Sequence, residues 1–367
     1  MKIICSKENL QNGINIVQKA VSTKTTLPIL EGILLEAEDK FKMTGNDLEI
    51  GIECFVEADI KGRGAIVLNS KMLGDIVRKM PDSEVLIEAK ENNTVIIECE
   101  NSHFELKGIS SEGFPSIPEI KKENGFEISQ NIIRDMVRQT IFAVSFDENR
   151  PVLTGEMIEF KEGEMVVVSI DGYRLALRKS KVEGIDVDIN VVVPGKTLGE
   201  IIKILSDTDE KINIYTSENQ ILFDLGNCRV VSRLLDGDYL NYKSIIPPEF
   251  ETKIKVKTEE ILSSIERASI ITMEDKRYPI KLVINTDNMI ISSNTDTGAN
   301  REEIHIDTEG NNLEIGFNPR YFIDALKVIE DEVVEISFTS NVGPCVIKPV
   351  NGEKFIYLIL PIRTRND

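Results

Sequence analysis

No tryptophan, two histidines and five scattered cysteines occur among the 367 residues, and each scarcity narrows the functions available. Cys5, Cys54, Cys99, Cys228 and Cys345 are odd in number and never stand in a CxxC spacing. That argues against a disulfide framework and against a zinc site, and buried inert thiols are expected. His103 and His305 each lie in an alternating, strand-like run without an HExxH motif, so a place on a strand face is expected for both. No apolar stretch approaches the roughly 20 residues that span a bilayer. Met1-Lys2-Ile3-Ile4-Cys5 passes into charged sequence without a secretory h-region, so a cytoplasmic protein with no membrane partner is expected. Positive charge is also short: 43 Lys and Arg face 62 Asp and Glu, for a formal net charge of −19. Taken alone, that sum argues against nucleic acid, whose affinity rests largely on neutralised phosphates. A sum says nothing about distribution, however.

What is present is a repeat. At this length two or three domains are expected, and the chain repeats at a period of about 124 residues. Helical segments beginning at Asn69-Ser70-Lys71-Met72-Leu73, Pro194-Gly195-Lys196-Thr197-Leu198 and Asn318-Pro319-Arg320-Tyr321-Phe322 are its clearest copies, each opened by turn or cap residues. A second helix precedes each, with Ser6, Ser129 and Thr258 as candidate N-caps and apolar residues at helical spacing. Between the helices come runs of short strands, which fit antiparallel meanders better than βαβ units. The expected fold class is α+β, three modules in tandem at residues 1–124, 125–250 and 251–367, with helices on one face of a sheet.

On a helical wheel, basic residues fall opposite the apolar face in all six helices. These are Lys19; Lys71 and Arg78; Arg134 and Arg138; Lys196 and Lys203; Arg267; and Arg320 and Lys327. Segments 7–24, 70–82, 129–143, 194–207, 257–277 and 318–331 together carry +2, which leaves −21 for the remainder. A solvated helix face needs no partner. Six faces in the same phase instead favour a surface for loose, sequence-independent phosphate contact.

Catalytic motifs fail on inspection. Pro194-Gly195-Lys196-Thr197 looks like the tail of a P-loop, but Asn190 stands where the required glycine should be, and a helix start explains all three copies. Asp47, Asp171 and Asp296 occupy one equivalent turn, so a turn role is expected. No GxSxG, Cys/His pair or spaced metal set appears. An enzyme is not expected, and neither is a cofactor or metal.

Several stretches, in order along the whole chain, carry a resemblance. They are Thr26-Leu27-Pro28-Ile29-Leu30, Thr44-Gly45-Asn46-Asp47-Leu48, Phe114-Pro115, Arg150-Pro151-Val152-Leu153-Thr154-Gly155, Asp171-Gly172-Tyr173-Arg174-Leu175-Ala176, Ser232-Arg233-Leu234-Leu235-Asp236-Gly237, Phe317-Asn318-Pro319 and Leu360-Pro361-Ile362-Arg363. The chain resembles the bacterial beta sliding clamps, the beta subunits of DNA polymerase III. The resemblance implies three DNA-clamp (processivity fold) modules per chain, helices lining the inside, antiparallel sheets outside, and a head-to-tail homodimeric ring. The implied function is that of a processivity factor on the nucleoid. It would encircle double-stranded DNA and tether polymerase III alpha, other polymerases, the clamp loader and repair proteins through short peptide motifs.

The resemblance also implies sites. The peptide groove would use Arg150, Leu153, Ile170, Gly172, Tyr173, Arg174, Leu175, Leu240, Ile245, Val342, Leu358, Leu360, Pro361, Ile362 and Arg363. Aliphatic walls would bury a Leu or Phe anchor, and arginines would hold the peptide's polar atoms. The dimer contact would bring Phe104 and Leu106 against Ile270 and Ile271. Lys24 and the loop Asp147-Glu148-Asn149-Arg150 would face DNA, although that loop is acidic in this chain. Val152, Leu240, Ser244 and Pro344 depart from residues seen in some members, which bears on peptide preference. The competing readings are a protein-only scaffold built from the same modules and an enzyme with an unrecognised site.

Overall fold

Ser6 starts the first helix, because its hydroxyl accepts the Asn9 backbone N–H at 3.1 Å and satisfies a donor the helix leaves unpaired. The helices are α1 (Lys7–Val17), α2 (Ser70–Lys79), α3 (Gln130–Arg138), α4 (Gly195–Ile204), α5 (Tyr242–Ile245), α6 (Thr258–Thr272) and α7 (Pro319–Leu326). Asn69 caps α2 through Met72 N at 3.0 Å, and Asn318 caps α7 through Arg320 N at 3.0 Å. Thr258 differs from the expected cap. It is the first residue of α6, and its hydroxyl donates to Asp331 O at 2.6 Å. The apolar faces are buried as the spacing predicts: Leu10, Ile14 and Val17 on α1, Leu73 and Val77 on α2, Ile261 and Ile265 on α6, while Ile76 is only half-buried.

The structure, a computed structural model, describes residues 1–22, 25–122, 125–182, 187–272 and 279–362. It divides into two units, Met1–Asn131 with Lys203–Leu234, and Ile132–Ile202 with Leu235–Asp367. In the first, an eight-stranded antiparallel sheet runs in the order Gly125–Ser129, Lys211–Thr216, Gln220–Asp224, Cys228–Arg233, Ile50–Val56, Phe41–Asn46, Gly32–Ala37, Gly64–Asn69. A five-stranded sheet holds Asp59–Gly62, Lys2–Ser6, Glu84–Ala89, Thr94–Cys99 and Ser102–Lys107. In the second unit, a nine-stranded sheet runs Ile189–Pro194, Gly155–Lys161, Glu164–Ile170, Arg174–Lys181, Phe355–Ile359, Cys345–Pro349, Val333–Phe338, Thr252–Lys257, Asp307–Gly310. A four-stranded sheet holds Gly298–His305, Asn288–Thr295, Ile280–Ile284 and Leu313–Phe317.

The threefold repeat is explicit in strand order. Each copy supplies a block in which the fourth strand pairs with the first and the first three form a meander. The blocks are Gly64–Asn69, Gly32–Ala37, Phe41–Asn46, Ile50–Val56; then Ile189–Pro194, Gly155–Lys161, Glu164–Ile170, Arg174–Lys181; then Leu313–Phe317, Ile280–Ile284, Asn288–Thr295, Gly298–His305. Each copy supplies a second block that ends on Ser102–Lys107, Cys228–Arg233 or Phe355–Ile359. Copies join edge to edge, which hides strand edges from solvent. Ile50–Val56 pairs with Cys228–Arg233, setting Ile52 opposite Val230, and Arg174–Lys181 pairs with Phe355–Ile359, setting Ala176 opposite Tyr357. Among the described residues, the matching edges left without a neighbour are Ser102–Lys107 and Gly298–His305.

Helices pack on the sheets at close range. A Cβ on Gly13 of α1 would stand 2.6 Å from the Val56 side chain, so only glycine lets the helix seat there. In the second unit, α6 and α7 cover a core of Ile280, Leu282, Ile291, Phe317, Phe322 and Phe338.

Candidate functional site

The turn Asp171–Arg174 organises the site. Asp171 Oδ1 accepts the backbone N–H of Tyr173 at 2.9 Å and of Arg174 at 3.0 Å, which makes Asp171 a turn residue. Asp47 does the same for Glu49 and Ile50. Gly172 sits at φ +92°, where a side chain would be strained. Arg174 is almost wholly buried, and its donors are committed. Nε donates to Asp171 Oδ2 at 2.9 Å, Nη1 to Asp324 Oδ2 on α7 at 2.7 Å, and Nη2 to the Phe142 carbonyl at 2.5 Å. Its guanidinium also lies over the Tyr321 ring at 4.7 Å and the Phe142 ring at 5.3 Å. These charge-assisted bonds tie the strand Arg174–Lys181 to α7.

The predicted groove residues sort into a floor and a rim. Leu153, Ile170, Leu175 and Leu358 belong to one buried cluster with Val346, Ile356 and Tyr242. Leu240, Ile245, Val342 and Leu360 are exposed apolar side chains, at 44%, 37%, 63% and 37%. Pro361 and Ile362 are half-buried, and Arg363 lies outside the described residues. Leu360 N donates to Tyr173 O at 2.9 Å, and Ile362 N to Gly316 O at 2.9 Å, so the tail is stitched to two sheets. Arg150, Gly172, Tyr173 and Arg174 line an adjoining cavity of about 1040 Å³, together with Asn318, Tyr321 and the strongly exposed Phe146.

Tyr321 was not singled out from sequence. Its ring stacks on Tyr173 with centroids 6.3 Å apart, and burial with the Asp171 carboxylate raises its hydroxyl pKa. The available signal was an aromatic where the other copies carry Met72 and Thr197. Glu156 was missed too. It is fully buried in the strand Gly155–Lys161, and burial pushes its pKa up to about 8 against the opposing pull of the Ser169 hydroxyl, which donates to Oε1 at 2.6 Å. The same strand position in the first copy holds the apolar Ile33.

The basic helix faces are exposed but largely neutralised. Lys71, Lys196 and Lys203 are exposed, while Lys19, Arg134 and Arg138 are half-buried. Arg78 pairs with Asp75 at 3.1 Å, Arg267 with Glu302 at 2.6 Å, Arg320 with Asp324 at 3.9 Å and Lys327 with Glu266 at 2.9 Å. Arg138 pairs with Asp135 at 3.6 Å and with Glu330. Lys24 lies outside the described residues. In the loop before Arg150, the backbone and side-chain N–H groups of Asn149 hold the Asp147 carboxyl below its usual range.

Phe104 and Leu106 lie on the unpaired edge strand Ser102–Lys107. Ile270, 66% exposed, and the half-buried Ile271 end α6. The Ile271 side chain stands 3.9 Å from where a Cβ on Gly298 would be, at the start of the other unpaired edge. All five cysteines are buried free thiols, and both histidines lie on strands. No helix among the described residues is long and apolar enough to cross a membrane.

Comparison with known proteins agrees with this architecture. Family models of the DNA polymerase III beta subunit match residues 1–118 as its N-terminal domain, 127–241 as its central domain and 243–363 as its C-terminal domain. A beta sliding clamp of Bacillus subtilis (strain 168) is 39% identical over 377 residues, covering 99% of this chain and 100% of that one. One from Staphylococcus epidermidis is 36% identical over 375 residues, with the same coverage. A crystal structure of a putative DNA polymerase III beta subunit from Eubacterium rectale has a TM-score of 0.95 at 41% identity, covering 99% of this chain and 100% of that one. The sliding clamp crystal structure from Bacillus subtilis has a TM-score of 0.95 at 38% identity, covering 99% of each chain. Three tandem modules of one topology, matched in order along the chain, mean that this protein belongs to the DNA polymerase III beta subunit family, the bacterial beta sliding clamps.

Proposed function

We propose that two copies of this chain close head to tail into a ring around duplex DNA, and that the ring tethers polymerases and other DNA-acting proteins without catalysing a reaction. The observation that carries this is the count of strand edges. Each copy of the module has one joining edge of each kind. Two junctions within the chain use four of them, and one of each kind remains: Ser102–Lys107 and Gly298–His305. A second chain offers the complementary pair, so two identical heterologous contacts would close the assembly instead of extending a filament. Carrying the registers of the two internal junctions forward by the repeat sets Asn300 opposite Phe104 and Gly298 opposite Leu106. Ile271 stands beside Gly298, which supports an apolar centre for that contact with Phe104, Leu106 and Ile270.

The module limits in this reading are 1–124, 125–250 and 251–367. The DNA-facing side would carry Lys19, Lys24, Lys71, Arg78, Arg134, Arg138, Lys196, Lys203, Arg267, Arg320 and Lys327. Pairing of several of those cations with acids, on the same helix or on a neighbouring element, supports weak, sliding contact with phosphates over tight binding. The exposed rim of Leu240, Ile245, Val342 and Leu360 over a buried aliphatic floor supports docking of a short apolar peptide. Arg150 is exposed and free to meet the peptide's polar atoms, whereas Arg174 acts as a positioning residue. The protein works in the cytoplasm, on DNA.

Retention on closed circular DNA, followed by release when the circle is linearised, tests the ring. A protein-only scaffold of the same modules would show no dependence on DNA topology.

A further inference from the structure

Cys54 and Cys228 face each other across the strand junction that joins the first module to the second. We infer that this pair is a peroxide-sensitive dithiol whose disulfide locks that junction. Four observations converge on it. The register pairs the two residues directly, Cys228 with Cys54. The backbone bond from Phe55 N to Asn227 O, at 2.8 Å, belongs to the next rung. Cys54 and Cys228 therefore occupy the closer, non-hydrogen-bonded kind of site, where Cα atoms stand about 4.5 Å apart, within the span of a disulfide. Each thiol is the main influence on the other's titration. Lastly, the pair sits at the end of the ladder. Cys228 opens its strand just after the hairpin turn at Gly226, which has φ +85°. Fraying of that end admits a small oxidant without unfolding the sheet.

The other thiols have no such partner. Cys5 stands opposite Val85, Cys99 opposite Ser102, and Cys345 opposite Phe338 and Ile359.

The roles of the two sulfurs differ. The nearby Cys228 thiol lowers the Cys54 pKa, while Cys54, burial and the Asp224 and Glu53 carboxylates raise that of Cys228. Cys54 is thus the attacking thiolate. Its sulfur attacks one oxygen of hydrogen peroxide and the O–O bond breaks. A sulfenic acid forms on Cys54, and the departing hydroxide takes up the released proton as water. Cys228 sulfur then attacks Cys54 sulfur, the S–O bond breaks, and a second water leaves with the Cys228 proton. Two thiols lose two electrons and two protons, and one peroxide becomes two waters. The product covalently links a strand of the first module to a strand of the second, where backbone hydrogen bonds otherwise form the ladder.

The test uses the full chain. Native protein is treated with hydrogen peroxide, quenched with an alkylating agent and mapped by mass spectrometry without reduction. The expected result is one cross-linked peptide pair, Cys54 to Cys228. Titratable thiols fall from five to three and return on adding dithiothreitol. Amide exchange in Ile50–Val56 and Cys228–Arg233 slows in the oxidised protein. Cys54→Ser and Cys228→Ser each abolish the cross-link, and Cys99→Ser does not. Retention of all five thiols, linkage through any other cysteine, or over-oxidation of Cys54 without a cross-link would each overturn the inference.

Discussion

The Arg174 guanidinium reaches Asp324 Oδ2 at 2.7 Å while its Nε donates at 2.9 Å to Asp171, three residues earlier in its own turn. One buried side chain thereby links the second module's turn to the third module's helix α7. Arg174→Ala removes the buried cation from both carboxylates, leaving Asp324 with the 3.9 Å contact to Arg320 and Asp171 with its backbone N–H donors. The expected loss of stability is about 3 kcal/mol, read by chemical denaturation. In a double-mutant cycle, Arg174→Ala and Asp324→Ala should be strongly non-additive.

Leu175 and Leu360 differ as test sites, although both were assigned to the groove. Leu175 is buried in the core cluster, so a charge there would destabilise the fold itself. Leu360 is on the exposed rim. Leu360→Asp should weaken binding of a synthetic Leu- and Phe-containing peptide at least about tenfold, or about 1.4 kcal/mol. Unfolding temperature and dimer formation should not change. Calorimetric titration beside a thermal melt checks both.

The projected intersubunit register predicts a specific cross-link. Phe104→Cys combined with Asn300→Cys should yield a disulfide-bonded dimer under mild oxidation, because the inherited pairing is again of the non-hydrogen-bonded type. Phe104→Cys combined with Glu303→Cys should not. Equal yields on a non-reducing gel would refute this edge pairing.

Glu156 makes stability fall as pH rises. Its folded pKa, pushed up to about 8 by burial, exceeds the ordinary carboxylate value. The folded state therefore holds a proton that the unfolded state has released. The stability contribution is complete below the unfolded pKa, declines through the window up to about pH 8, and is flat above it. The limiting slope is about 1.4 kcal/mol per pH unit. Glu156→Gln should remove that slope, measured by urea denaturation at several pH values.

Leu48 adopts φ +77° in the turn equivalent to that of Gly172 at φ +92°. An exposed leucine there carries a left-handed strain of about 1 kcal/mol. Leu48→Gly should relieve it and raise the melting temperature slightly, despite glycine's entropic cost in the unfolded chain.

Much of this protein was legible before any coordinates. The 124-residue period shows as self-similarity of distant segments, and the caps at Ser6, Asn69 and Asn318 and the buried stripes Leu10, Ile14, Val17 and Ile261, Ile265 are local signals written within a few helical turns. The turn role of Asp171 was legible for the same reason. The basic faces were visible as a phase, but their neutralisation was only partly so. Arg78 with Asp75 is three residues apart, whereas Arg267 with Glu302 and Lys327 with Glu266 join separate elements. The structural setting of Arg174 was hidden in the same way, since Asp324 is 150 residues away.

Local patterning was therefore enough to define three copies of one helix-and-sheet module and the inward face of each helix, because periods of 2 and 3.6 are set by backbone geometry alone. Strand adjacency is a different kind of information. Which edges are shared, which two remain open, that Cys54 meets Cys228 and that Arg174 bridges to Asp324 all depend on pairings between residues far apart in the chain. Only the folded packing, in which each strand finds one partner in one register, determines them.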